Sequence, residues 1–280
     1  MTTGPGGPGE RGARRTTPGP PAPADQHLPL AQWTSPQACG GPLLIVPVGS
    51  LEQHGPHLPL DTDSAVATAV ATAAAALLTT GGESVAVAPV VAYGASGEHQ
   101  DFAGTVSIGR AALTALLVEI GRSAGTWAAR MVFVNGHGGN AAALRDAVRL
   151  LRAESRDASW VPAGVPGADA HAGHVETSIM LHLRPGSVDM TRAVCGTTTA
   201  IEQLLPALRE SGVRAVSPTG ILGDPRGADA AQGARLCDRI ADDVTDRIRR
   251  GTIDDDGLLV IQTRTLAALP QARRVPSGSL

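Results

Sequence analysis

Apolar positions along this chain fall into two alternating kinds of run. Positions 43–48 read LLIVPV, an unbroken apolar stretch ended by Gly49 and Ser50. It is too short for a helix and suits a strand buried on both faces. Similar runs follow at 84–91, 131–134 and 159–163. Between them the apolar residues spread to helical spacing. A helix is predicted from Thr62 or Asp63, either of which can cap it, to about Thr80, where Gly81 and Gly82 stop it. A second is predicted over 110–129, with Leu113, Leu116, Leu117 and Ile120 on one side. A third follows Asn140 and ends near Arg156, and a fourth carries the apolar stretch 179–183. Two more are expected at 199–211 and 227–250, joined by the turn-rich SPTGILGDP. Strands of parallel type alternating with helices predict an α/β sheet.

The polar residues that can do chemistry gather at the ends of the strand-like runs, where open α/β sheets bind ligands. After the first run come Glu52, His54, His57, Asp61 and Asp63, with Pro56 and Pro59 excluding a regular helix between them. Such carboxylates, crowded without a cation, would repel one another. Mixed Glu, His and Asp donors suit zinc, manganese or iron better than calcium or magnesium. A polar surface loop with satisfied histidines would explain one His but not the cluster. The second run empties into a Gly-punctuated loop carrying Glu98, His99, Asp101 and Phe102, which reads equally as a lid or as a substrate contact. Its GASGE misses the G-x-S-x-G nucleophile spacing by one residue. The third run ends in NGHGGN, bracketed by the only two Asn residues of the chain, with His137 read as a ligand. Its glycines permit tight turning, and its backbone N–H groups could meet an anion. Beyond the fourth run lie Asp169, His171, His174 and Glu176, entering a helix. Asp169 and Thr177 are also plausible helix caps, and His182 reads as a core or edge histidine.

Composition removes several alternatives. The chain of 280 residues has no Lys, so its basic residues are all Arg. Schiff-base chemistry, pyridoxal phosphate attachment and a Lys-dependent phosphate loop are excluded together. A net charge of −3 without a basic tract argues against nucleic acid or an anionic membrane as partner. Cys39, Cys195 and Cys237 are scattered and odd in number, which reads as reduced thiols. No apolar secretion segment or membrane span stands out; 65–78 comes closest but is short and rich in Ala and Thr, so a cytoplasmic protein is expected. Residues 1–28 are Gly, Pro, Arg and Thr with few large apolar side chains and read as a disordered leader. A single domain is expected over 29–252, with no internal repeat, and a partly mobile tail over 253–280. Aromatic residues make up 2% of the chain, so Ala, Val and Leu must do the packing.

Four segments together, EQHGPHLP with its following TD, GEHQDFAGT, NGHGGN and DAHAGHVETS, resemble the creatininase family in type and order over roughly residues 40–245. The resemblance implies a three-layer α/β/α sandwich around a mainly parallel sheet. It further implies hydrolysis of a non-standard or cyclic amide at a centre of two divalent ions, Zn, Fe or Mn. Carried over by motif, Glu52, His54, Asp63, His137 and Glu176 would hold the metals, with Asp63 bridging. His171 would transfer the proton, and Glu176 would complete the second metal position beside it. Creatininase has a Glu where this chain has Gly139, an aromatic just before the residue matching His171, and FPGT is common where FAGT stands here. These departures point away from creatinine. The loop around GEHQDFAGT most resembles the branch associated with mycofactocin maturation, which implies a peptidase trimming a modified C-terminal Val-Tyr unit from a short precursor peptide. The other readings are a sister amidohydrolase for creatinine-like or formamide substrates and a non-enzymatic binding member. A closed homo-oligomer, a hexamer, is also implied.

Overall fold

The structure, a computed structural model, describes residues 1–2 and 29–261. The four strand-like runs form one parallel sheet of β1 (Leu43–Val48), β2 (Val85–Val87), β3 (Arg130–Asn135) and β4 (Ala158–Pro162), in the order β2-β1-β3-β4. β1 runs beside β3 along its whole length, from Leu43 opposite Arg130 to Val48 opposite Asn135. The tips of these two central strands therefore lie side by side, and so do the loops that leave them.

Successive side chains of a strand point to opposite faces, and each face of this sheet carries its own core. Leu43, Ile45, Val132 and Val134 pack with α1 (Thr62–Thr80), α4 (His174–Leu183) and α6 (Ala230–Arg250). Leu44, Val46, Met131 and Phe133 pack with α2 (Gly109–Ala124) and α3 (Ala141–Ala153) on the other side. The result is the expected three-layer α/β/α sandwich. α1 is long and apolar enough to cross a membrane by length and composition. Here it is a core helix, burying Ala67, Val70, Ala71, Ala74 and Leu78 under the sheet. α5 (Ile201–Val216) is broken at Gly212, where φ is 71°, next to its expected end at Ser211.

Several boundaries differ from the sequence expectation, each for a local reason. The second strand closes at Val87 because, after Ala88 N–H donates to Ile45 O at 2.9 Å, the next donor to reach β1 comes three residues on instead of two, which breaks the ladder. Pairing resumes for one residue, where Val91 N–H donates to Pro47 O at 2.9 Å. On α2 the buried stripe is Leu113, Leu117, Val118 and Gly121, while Leu116 is 41% exposed. Neither Thr62 nor Asp63 caps α1. Both lie inside its first turn, and the Thr62 hydroxyl turns back to Pro59 O at 2.7 Å. That leaves the Asp63 carboxylate free to face the strand tips. The chain after α6 forms a hairpin of β5 (Thr252–Ile253) and β6 (Leu259–Val260). Leu259 is fully buried, and Trp160 of β4 donates through its backbone N–H to Gly257 O and through Nε1 to Asp256 O. Core packing thus continues to Leu259, past the start expected for the tail. The leader, apart from residues 1–2, and the tail beyond 261 lie outside the described residues.

Candidate metal centre

Two close approaches assemble the centre. A Cβ on Gly49, just past β1, would lie 2.6 Å from Ser64 Cα, and one on Gly136, just past β3, would lie 2.4 Å from Asp63 O. Glycine at both tips lets the first turn of α1 settle against the sheet and delivers Asp63 between the two strand-end loops. The first loop is pinned by Glu52 N–H donating to Leu60 O at 3.0 Å. The NGHGGN loop is braced by its own Asn residues. Asn135 Nδ2 donates to His137 O at 2.7 Å, and Asn140 Nδ2 donates to Gly49 O at 2.9 Å. Because Gly136 N–H is spent on Val48 O, His137 N–H on Asn135 Oδ1 and Asn140 N–H on His137 O, the expected anion-binding N–H groups narrow to Gly138 and Gly139.

Glu52, His54, Asp63, His137, His171 and Glu176 converge on this point. Three sets, Glu52/Asp63/His137, His54/Asp63/Glu176 and Glu52/His54/His171, each place their donor atoms within 4.8 Å of one another. The two oxygens of Asp63 face different imidazoles: Oδ1 is 3.1 Å from His54 Nε2 and Oδ2 is 3.5 Å from His137 Nδ1. Glu176 Oε2 lies 3.9 Å from His54 Nε2 and accepts Ala172 N–H at 2.6 Å. Glu52 is wholly buried, and neither of its oxygens makes a hydrogen bond, nor does Asp63 Oδ2. His137 Nδ1 and His99 Nε2 come within 3.2 and 3.3 Å of Glu52 Oε1 without hydrogen-bond alignment. A buried carboxylate left in that state costs several kcal/mol unless a cation offsets it. The donor set therefore fits divalent metal.

The tautomers lead to the same conclusion. A carbonyl can only accept, so His54 Nδ1, 3.1 Å from Glu52 O, carries a proton and leaves the Nε2 lone pair to Asp63 and Glu176. His171 Nε2 donates to Gln53 O at 2.8 Å and leaves Nδ1 facing Glu52 Oε1 at 3.7 Å. These two imidazoles, His54 and His171, spend their outer nitrogens on the protein and turn their inner nitrogens to the centre, the arrangement of a metal-binding His. With protons alone to balance the charge, burial pushes His54 down, but Asp63, Glu176 and Glu52 overcome it and raise it to about 10. His137 is likewise raised against burial by Glu52, Glu98 and Asp63. Burial and the nearby Asp63 charge lift Glu176 to about 7 despite His54. Burial, with His54 and His99 beside it, holds His171 well below the ordinary range and therefore neutral.

Not every candidate from the sequence belongs here. His57 points away and meets Thr177 Oγ1 at 2.9 Å, so Thr177 ties the loop to α4 and does not cap it. Burial and the neighbouring His54 lower His57 to about 4. Asp61 pairs with Arg184 at the surface, and His174 meets Gln232 Oε1 on α6 at 2.9 Å. Asp169 accepts the N–H groups of His174 and Val175 and caps α4. His182 is exposed, not in the core.

The GEHQDFAGT loop divides. Glu98 and His99 stand against the centre, while the Asp101 carbonyl accepts from Arg214, whose guanidinium covers the Phe102 ring at 4.1 Å. Sequence reasoning missed two features. Gln53, between two ligand candidates, donates through Nε2 to His99 Nδ1 at 2.8 Å and Gly220 O at 3.1 Å. Leu222, in the turn-rich SPTGILGDP, exchanges backbone hydrogen bonds with His171 and holds it in place. The position of Gln53 inside the EQH motif was the available signal for the first; nothing local announced the second.

The sequence profile of the creatininase family, described as creatinine amidohydrolase, matches residues 31–248. The chain is 57% identical over 219 residues to the mycofactocin precursor peptide peptidase of Mycolicibacterium smegmatis, covering 78% of this chain and 89% of that protein. It is 55% identical over 223 residues to the protein of the same name from Mycobacterium tuberculosis, with 78% and 89% covered. A solved mutant creatininase of the Zn-Zn type superposes with a TM-score of 0.64 at 26% identity, covering 79% of this chain and 96% of that one. With this fold, a matching profile over most of its length and relatives this similar, the chain is a hydrolase of amide bonds and belongs to the creatininase family.

Proposed function

We propose that this protein is a metal-dependent peptidase that releases the modified C-terminal Val-Tyr unit from a short mycofactocin-type precursor peptide. Two divalent ions, Zn, Fe or Mn, would be held by Glu52, Asp63 and His137 on one side and by His54, Asp63 and Glu176 on the other, with Asp63 shared. The observation that carries the metal reading is Glu52, fully buried among three imidazoles with both oxygens lacking a hydrogen bond. The peptide substrate is supported by the similarity to two peptidases of that name.

Divalent ions at such a site supply Lewis-acid activation of a water and of the scissile carbonyl at neutral pH. The chain does the rest. His171, neutral and fixed through Nε2 on the Gln53 carbonyl, turns the Nδ1 lone pair inward. That atom takes the proton of the attacking water and returns it to the leaving amide nitrogen. Glu176 lies beside the same point, tied by Ala172 N–H. Gly138 and Gly139 offer N–H groups to the peptide carboxylate or to the developing oxyanion. The three Trp residues all pack in or against the core between the sheet and the α2–α3 layer, so none of them encloses a small planar ring at the centre. That distribution favours an open peptide site over a creatinine pocket. We further propose a cytoplasmic homo-oligomer, a hexamer by family resemblance. The test is a substrate panel under one metal condition: modified precursor peptide, creatinine and formamides. Peptide cleavage with little creatinine turnover is expected, and efficient creatinine hydrolysis beside an untouched peptide would overturn the substrate.

A further inference from the structure

The outer nitrogens of His54 and His171 each rest on a backbone carbonyl, but His137 has none. Its Nε2 is buried and makes no hydrogen bond, and Glu98 Oε1 lies 3.4 Å away. We infer that Glu98 is a positioning residue: its carboxylate receives the outer proton of His137 and keeps Nδ1 aimed at Glu52 and Asp63. This rests on the metal centre proposed above.

Two observations support it. The side chain of Glu98 is 31% exposed and so has room to turn into line with Nε2, whereas His137 is fixed at the strand tip. The second concerns Gly139. A Cβ there would stand 2.4 Å from His137 Nε2, 2.5 Å from Glu98 Oε1 and 2.5 Å from Ala95 O. Any side chain at 139 would be driven between the imidazole and the carboxylate. The short turn Gly97–His99 serves both flanks of one position, Glu98 on His137 and His99 Nε2 on Glu52 Oε1. A carboxylate on the outer nitrogen of a metal-binding His fixes its tautomer, and its loss typically weakens metal binding about 10–100-fold.

The test is a Co²⁺ titration of the full chain after chelator treatment, followed by the visible absorption of the bound ion. Wild-type protein is expected to take up two equivalents. Glu98→Ala should weaken one of the two by about 10–100-fold and alter its absorption, leaving the other unchanged. Glu98→Gln keeps an acceptor oxygen and should recover most of the affinity. Gly139→Ala should weaken the same position, and with Glu98→Gln it carries the test if Glu98→Ala does not fold. Unchanged affinity at both positions in Glu98→Ala, or in Gly139→Ala where Glu98→Ala does not fold, would overturn the assignment. So would a Gln variant as weak as the Ala variant. Wild-type protein that takes up no Co²⁺ would overturn the metal centre itself, and the role of Glu98 with it.

Discussion

Replacing Glu52 by Gln separates a metal ligand from a structural ion pair. In the chelator-treated protein the new amide keeps the shape of the side chain and removes a buried charge whose oxygens make no hydrogen bond. His137, raised chiefly by Glu52 against the burial that lowers it, can then shed its proton, so no uncompensated charge is left behind. The metal-free variant should unfold within about 4 °C of metal-free wild type, corresponding to roughly 1 kcal/mol for a chain of this size. Were Glu52 instead half of a stabilising buried pair with His137, its loss would cost about 3–5 kcal/mol. The metal-free variant would then unfold roughly 6–20 °C lower. Added metal discriminates in the opposite sense. An ion at 1,000 times its Kd stabilises the native state by about 4 kcal/mol, or roughly 8–16 °C here. Wild-type protein should show that rise, and Glu52→Gln should lose most of it. The assay is thermal unfolding by circular dichroism, with chelator and with excess Mn²⁺ or Zn²⁺. A full metal-induced rise in the variant, or a large drop without metal, would refute a ligand role for Glu52.

Three further outcomes follow from the same geometry. Asp63→Ala should weaken both metal positions, since its two oxygens face different imidazoles; two full equivalents by metal analysis would remove its bridging role. His171→Ala should lower peptide turnover about 10²–10⁴-fold with metal content intact, and unchanged cleavage would remove its proton-transfer role. In metal-free protein His54 holds a proton up to about pH 10 and Glu176 up to about 7. Metal must displace those protons, so uptake at pH 7 should release them, and apparent affinity should rise with pH and fall below 7. Calorimetry in two buffers of different ionisation enthalpy measures the release, and a value of zero would contradict it.

The parts of this centre legible in the sequence are those carried on regular elements. β1 and β3 are apolar runs buried on both faces, so their ends could be located, and Glu52, His54 and His137 follow those ends directly. Asp63 was legible as a metal-type carboxylate near the start of α1 and, by family resemblance, as the bridging ligand, but the close approaches at Gly49 and Gly136 that deliver it between the strand tips were not. Glu98 lies on a three-residue turn with no periodicity to orient it, so lid and site contact could not be told apart. Leu222 supports His171 from 51 positions away through backbone bonds, which no side-chain pattern encodes. The hairpin at 252–260 was hidden for a related reason. Its acidic turn reads as solvent-facing, yet Leu259 is buried and the turn carbonyl of Asp256 accepts from Trp160.

Metal-dependent cleavage of a peptide C-terminus at this centre is tested most directly by end-point mass spectrometry of the modified precursor peptide. The peptide is incubated with the protein as purified, after chelation, and after chelation followed by restored Zn²⁺, Fe²⁺ or Mn²⁺. Loss of the Val-Tyr unit is expected in the first sample, none in the second, and recovery in the third with at least one of the ions. Full cleavage after exhaustive removal of metal, or none in any sample while the protein holds two ions, would contradict it.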